Sequence, residues 1–161
     1  MTDTEVGIRT AGPEDVPGIV SLSHALFQED AGSRDPTMNL EWAAQEGRGY
    51  FADLLADDAA ACWLAVQAPS GDAIGSLASR LSEANSLRIV RLATLESMYV
   101  RREFRGRSVG ARLVGRFLSW ARERGARQAS VTAYAANIGA VRFYRREGFS
   151  PKSLTLERTV G

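Results

Sequence analysis

One cysteine, Cys62, stands in the whole chain, so no disulfide closes within it. A chain that needs no disulfides fits a reducing compartment, and a cytoplasmic location is the expectation. Cys62 lies in the apolar run Ala59 to Val66, where a buried, unreactive thiol is expected rather than a nucleophile. One histidine, His24, falls inside the apolar pattern of Val20, Leu22 and Phe27, a setting that suits packing. With no cluster of Cys and His, no metal site is expected. No apolar run approaches the roughly 20 residues of a spanning helix. Met1 to Thr10 lacks the basic start and apolar core of a signal peptide. No membrane partner is expected. A basic excess is also missing: 20 basic residues face 19 acidic ones, for a net charge of +1. That balance excludes a surface built to coat nucleic acid. There is no Gly-x-Ser-x-Gly turn of a serine hydrolase.

What is present reads as one domain over residues 1–161. Hydrophobic residues make up 45% and charged residues 24%, ordinary globular values that argue against disorder. The charges are unevenly placed. Many arginines fall between Arg88 and Arg146, while acidic residues crowd the first sixty positions. A basic C-terminal half suits an anionic cofactor, and an acidic N-terminal half attracts a cationic substrate.

Val6 to Thr10 predicts a strand. Pro13-Glu14-Asp15 opens a helix with Val16, Ile19, Val20, Leu22, Ala25, Leu26 and Phe27 on its apolar face. Residues 28–36 predict a loop. Residues 40–55 predict a second helix, interrupted near Gly47 and Gly49. A hairpin follows, Ala61 to Gln67 and Ala73 to Leu81, turned at Pro69-Ser70-Gly71-Asp72. Ile89 to Val100 is the longest strand expected. Val109 to Arg124 is an amphipathic helix stopped by Gly125. Ala129 to Ala133 predicts a strand, Gly139 to Arg146 a short helix closed by Gly148, and Leu154 to Val160 a last strand. The middle strands suit an antiparallel meander, and the later strand–helix–strand run asks for a parallel crossover. The expected fold class is α/β, with a mixed sheet and helices on both faces.

The segment Arg105-Gly106-Arg107-Ser108-Val109-Gly110-Ala111 joins the long strand to the strongest helix. The first turn of a helix carries unpaired N–H groups and partial positive charge. Glycine lets phosphate oxygens come close to the backbone. Arg105 and Arg107 add full charges able to grip a phosphate. Taken alone, the turn reads rather as a tight corner with solvated arginines. It lacks the three-glycine spacing of a dinucleotide-binding fingerprint.

A second stretch changes the weighing: Asn137-Ile138-Gly139-Ala140-Val141-Arg142-Phe143-Tyr144-Arg145-Arg146-Glu147-Gly148-Phe149. With the first, it resembles the GNAT superfamily of acyl-CoA N-acyltransferases. That family has Gln/Arg-x-x-Gly-x-Gly/Ala between a long strand and a helix, then Asn-x-x-Ala-x-x-Phe-Tyr-x-x-x-Gly-Phe. Arg105 and Gly110 fill the ends of the first motif, and Ser108 stands where glycine is usual. Every named place of the second is matched. The resemblance covers Leu95 to Phe149 closely and the N-terminal third by element order alone.

The resemblance implies a mostly antiparallel sheet with a splayed parallel pair, acetyl-CoA as cofactor, and direct transfer of the acyl group to an amine. Pantetheine would lie beside the long strand, on backbone groups of Met98 and Val100. The pyrophosphate would sit on Gly106, Arg107, Ser108, Val109, Gly110 and Ala111. An N–H near Met98 or Tyr99 would face the thioester oxygen. Asn137 and Ala140 belong to the pantetheine side, and Asn137 equally suits a helix N-cap. Tyr144 would protonate the leaving thiolate, or else merely pack. A lysine-like amine is neutral in only about 1 in 2,500 molecules at pH 7, so a base is needed. Glu96, in Leu95-Glu96-Ser97-Met98-Tyr99-Val100, is the candidate; its competing role is an ion pair with an arginine such as Arg91.

For the acceptor, Glu29, Asp30 and Asp35 lie after the first helix, with Trp42 and Tyr50 not far along. An acidic, aromatic pocket suits a small cationic amine, polyamine- or aminoglycoside-like; the same residues equally suit solvated loop charges and core aromatics. A peptide or protein acceptor would need an open groove. A non-catalytic acyl-CoA-binding module would need neither Glu96 nor Tyr144. Dimers are common in that family, so a homodimer using the last strand is one assembly open to the chain.

Overall fold

The structure is a computed structural model and describes residues 5–161. Five strands form one sheet in sequence order: β1 (Val6–Thr10), β2 (Ala60–Gln67), β3 (Asp72–Ser82), β4 (Leu92–Val100) and β5 (Gln128–Val131). The first three pairings are antiparallel, and β4 with β5 is parallel. Four helices flank it: α1 (Val16–Glu29), α2 (Trp42–Ala56), α3 (Val109–Glu123) and α4 (Ile138–Arg146). This is the mixed α/β arrangement that the resemblance implies.

Alternation along the strands decides which helix covers which face. Cys62 and Leu64 of β2 pack with Ile19, Leu22, Phe51 and Leu54 of α1 and α2. Trp63 and Ala65 pack with Leu113, Val114 and Phe117 of α3. Cys62 is 1% exposed, and burial pushes its thiol up to about 12, so it is no nucleophile at neutral pH. The amphipathic face read for α3 is the buried one: Val109, Leu113, Val114, Phe117 and Ala121. Gly125 (φ 78°) and Gly148 (φ 97°) end α3 and α4 in the left-handed conformation that favours glycine.

Two local expectations are corrected. α2 runs unbroken through Gly47 and Gly49. A β-carbon on Gly47 would lie 3.3 Å from Val20 Cγ2, so this glycine lets α1 and α2 approach rather than breaking a helix. Leu154 to Val160 is not a strand; it is exposed chain outside the sheet. Its alternation is real, but a strand needs a partner, and the chain offers this segment none.

β4 has one irregularity that positions the site. Ala78 faces Ser97 while Ser79 faces Leu95, so Glu96 has no partner on β3. This is a β-bulge, and it shifts the alternation by one. Ala93 and Leu95 face the α3 side before it; Met98 and Val100 do so after it, and Tyr99 turns to the α1–α2 side. β5 pairs with β4 only over residues 92–95. Beyond that the two strands part, leaving one edge of Ser97 to Val100 without a strand.

Candidate active site

The mouth of this fork is bounded by the two sequence motifs. On one side, β4 runs into the turn Arg105 to Ser108 and then α3. Gly106 (φ 76°) and Ser108 (φ 62°, ψ 14°) are both left-handed. Alternating backbone of this kind turns successive N–H groups toward one point. The first bond into α3 runs from Arg112 N–H to the Ser108 carbonyl at 3.0 Å. The N–H groups of Val109, Gly110 and Ala111 lie ahead of it and have no acceptor among the described residues. Gly110 is closely packed: a β-carbon there would sit 3.2 Å from Phe143 Cζ and 3.7 Å from Met98 Cε.

The arginines of the turn do different things. Arg105 folds back: its Nε donates to the Val100 carbonyl at 2.8 Å, and its Nη atoms donate to Glu29 at 2.6 and 2.9 Å. Its guanidinium also lies over the Tyr99 ring. Arg105 therefore closes the turn on itself rather than pointing free guanidinium donors into it. Arg107 stacks on Phe104 and has no acidic partner among the described residues.

On the other side stands α4. Asn137 caps it: Oδ1 accepts from Ala140 N–H at 3.1 Å, the N-cap expected of Asn at a helix start. Asn137 Nδ2 donates to Asp30 at 2.8 Å. Tyr144 packs between Phe143 and Phe149 on the α3-side core. Burial, and then the charge of Asp30, push its phenol up to about 12, so it keeps its proton across the neutral range.

Glu96 is on the α1–α2 face. Its Oε2 accepts from the Tyr50 hydroxyl at 2.5 Å, and its Oε1 lies 2.9 Å from Arg80 Nε. Arg80 also pairs with Asp57 at 2.9 Å. The Glu96 side chain remains 26% exposed and so is open to solvent. Arg91, the partner considered from sequence, instead pairs with Glu83. Burial, and then Glu96, raise the Tyr50 phenol. Trp42 meets Tyr50 edge-on at 5.2 Å, and Phe27 lies 5.7 Å from Trp42, giving an aromatic wall beside Glu96. Tyr50 and Trp42 were legible as nearby aromatics. Arg80 was missed, although an arginine on the strand adjoining that of Glu96 was a signal.

The three acids expected to meet the acceptor lie across the fork instead of in one cluster. Glu29 is on Arg105 and accepts from the Tyr99 hydroxyl at 3.0 Å. Arg105 first, and Tyr99 after it, hold its carboxyl below the usual range. Asp30 meets Asn137 and Arg34. Asp35 accepts from Thr37 and, at 3.2 Å, from Tyr134. His24 is on α1 with Nδ1 buried and unpartnered among the described residues. Among those residues no three His, Cys, Asp or Glu gather as a metal site, and no helix is long and apolar enough to cross a membrane.

The chain is similar to known acetyltransferases in sequence and in fold. The family model described as acetyltransferase (GNAT) matches residues 22–149, from α1 to the end of the second motif. An uncharacterized N-acetyltransferase of Methanocaldococcus jannaschii is 28% identical over 85 residues, which is 53% of this chain. The matched stretch is 38% of that relative's length. A transcriptional regulator from Bacillus halodurans superposes with a TM-score of 0.77 at 21% identity, over 97% of this chain and 100% of its own. An aminoglycoside N-acetyltransferase in complex with CoA superposes at 0.74 with 19% identity, over 98% and 97%. At such identities the superpositions show the fold alone.

Proposed function

The chain belongs to the acetyltransferase (GNAT) family, and on that premise we propose that it moves an acetyl group from acetyl-CoA to a primary amine of a small cationic acceptor. The observation that carries this is the fork between β4 and β5, bounded by one motif at Arg105 to Ala111 and the other at Asn137 to Phe149.

The residues present fit the cofactor. The N–H groups of Val109, Gly110 and Ala111, unpaired among the described residues and following the left-handed Gly106 and Ser108, suit a pyrophosphate. The missing β-carbon of Gly110 lets Phe143 of α4 and Met98 of β4 pack against the start of α3, which holds the two motifs together at the fork. The strandless edge of Met98, Tyr99 and Val100 offers backbone groups to an extended arm, and an N–H there supports charge on a carbonyl oxygen. Asn137 keeps a second Nδ2 hydrogen, and Ala140 lies one turn inside α4. Bound acetyl-CoA supplies the thioester that the amine attacks.

Glu96 takes the proton of the acceptor ammonium, directly or through a water. Tyr144, protonated across the neutral range, holds the proton for the departing sulfur. Beside Glu96, Arg80 already lies over the Tyr50 ring and pairs with Asp57, and the Trp42 and Phe27 rings extend the aromatic wall that suits a cationic acceptor. The acids at Asp30 and Asp35 line the loop over the fork. A homodimer completed by the exposed tail is the assembly in keeping with this reading. The test is an amine-library screen with acetyl-CoA, following free thiol. Turnover on polyamines or aminoglycosides supports the acceptor class. Turnover on peptides alone replaces it with a peptide N-acetyltransferase. CoA binding without turnover on any amine leaves a binding module.

A further inference from the structure

The carboxylate of Glu29, the last residue of α1, is fully engaged. Oε1 is 2.6 Å from Arg105 Nη1 and Oε2 is 2.9 Å from Nη2, with the Tyr99 hydroxyl at 3.0 Å and Arg102 at 3.8 Å. With both oxygens taken up by Arg105 and Tyr99, the carboxylate has little free charge to offer an acceptor.

What the contact does instead follows from Arg105. Its Nε bond to the Val100 carbonyl spans the corner between the last residue of β4 and the turn. That turn holds two left-handed residues, and one of them, Ser108, is not glycine. Such a backbone does not hold itself; it needs an external anchor. The anchor is the Glu29 fork on the far end of the Arg105 guanidinium, 76 positions away in sequence. The next residue, Asp30, bonds Asn137 on the opposite side of the fork, so the end of α1 ties both sides.

We propose that Glu29 is a positioning residue of the cofactor site: it clamps Arg105 against Val100, fixes the turn whose N–H groups receive the pyrophosphate, and does not bind the acceptor. This rests on the function proposed above. The test is calorimetric binding of CoA without acceptor, paired with steady-state KM values for both substrates. Glu29→Gln raises the CoA dissociation constant by about threefold to tenfold, the scale of a charge-assisted pair that is partly exposed. Arg105→Met does the same, and the double variant is no worse than Arg105→Met alone, because both break one chain of contacts. The acceptor KM moves less than about twofold. A raised acceptor KM with unchanged CoA binding overturns the proposal, and so does CoA binding indifferent to both substitutions. Should Glu29→Gln fail to fold, Arg105→Met reads the same link from its other end. A wild-type protein that does not bind CoA defeats the function reading instead, and that is read from the wild-type arm alone.

Discussion

Tyr50 gives its hydroxyl hydrogen to Glu96 at 2.5 Å, joining α2 to the bulge of β4 across 46 positions of sequence. With Arg80 on the other oxygen, the carboxylate is aimed and held. As the base proposed above, a carboxylate so fixed would be pre-organised for proton transfer. Glu96→Gln keeps the shape and removes the base. Its kcat is expected to fall about 100-fold or more, with CoA affinity unchanged by calorimetry. Tyr50→Phe is expected to cost about tenfold in kcat, since it removes aim but not the base. Full turnover in Glu96→Gln would remove Glu96 from the mechanism.

Tyr144 makes a separate prediction. Burial and Asp30 push its phenol up to about 12. A group that donates a proton and titrates that high gives the rate profile no limb near neutrality. Tyr144→Phe is therefore expected to lower kcat by about tenfold to a hundredfold at every pH from 6 to 9, without moving the profile's midpoints. A variant with wild-type kcat would reduce Tyr144 to packing.

These two residues also show how far the sequence could be read. Tyr144 and Asn137 sit in a contiguous motif on one short helix, where spacing alone fixes their geometry. α3 was legible for the same reason: one face, one glycine stop. Glu96 could be picked out, but its partners could not. They depend on a one-residue bulge and on α2 packing against the sheet, neither of which has a local signature. The same limit hid the pairing of Glu29 with Arg105. A loop acid reads as solvated until the fold brings an arginine to it. Leu154 to Val160 failed differently, because alternation describes a strand's faces and says nothing of whether a neighbour exists.

Asp15 ties the start of α1 to β1, and its effect on stability is pH-dependent. It accepts from Arg9 twice at 2.8 Å and from Gly12 N–H at 2.8 Å. Arg9 first, and Gly12 after it, hold its carboxyl below the ordinary 3.8. The folded value is depressed, so the stabilisation is fully present above the unfolded value and is lost as pH falls through the folded one. Arg9 is 45% exposed, so solvent screening limits the ion pair to a modest share. Asp15→Asn is expected to lose about 1 kcal/mol at pH 7. The difference from wild type should shrink below pH 3.8, measured by urea midpoints at several pH values. A loss that stays constant down to pH 2 would point to packing instead.

Ser108 is where the chain departs from the motif, and its backbone decides the outcome. At φ 62° and ψ 14° it occupies the left-handed region with a side chain that makes no capping bond. A non-glycine residue there costs about 1–2 kcal/mol, whereas glycine loses about 0.5–1 kcal/mol more chain entropy on folding. The difference favours glycine by a few tenths to about 1 kcal/mol. Ser108→Gly is therefore expected to raise thermal stability slightly. If the turn receives the pyrophosphate, easing it also leaves CoA affinity equal to or tighter than wild type. Calorimetry with CoA and a melting curve on the same preparation separate the two effects. A more stable variant that binds CoA more weakly would show that the Ser108 hydroxyl itself holds the phosphate, a role its missing cap bond leaves it free to take.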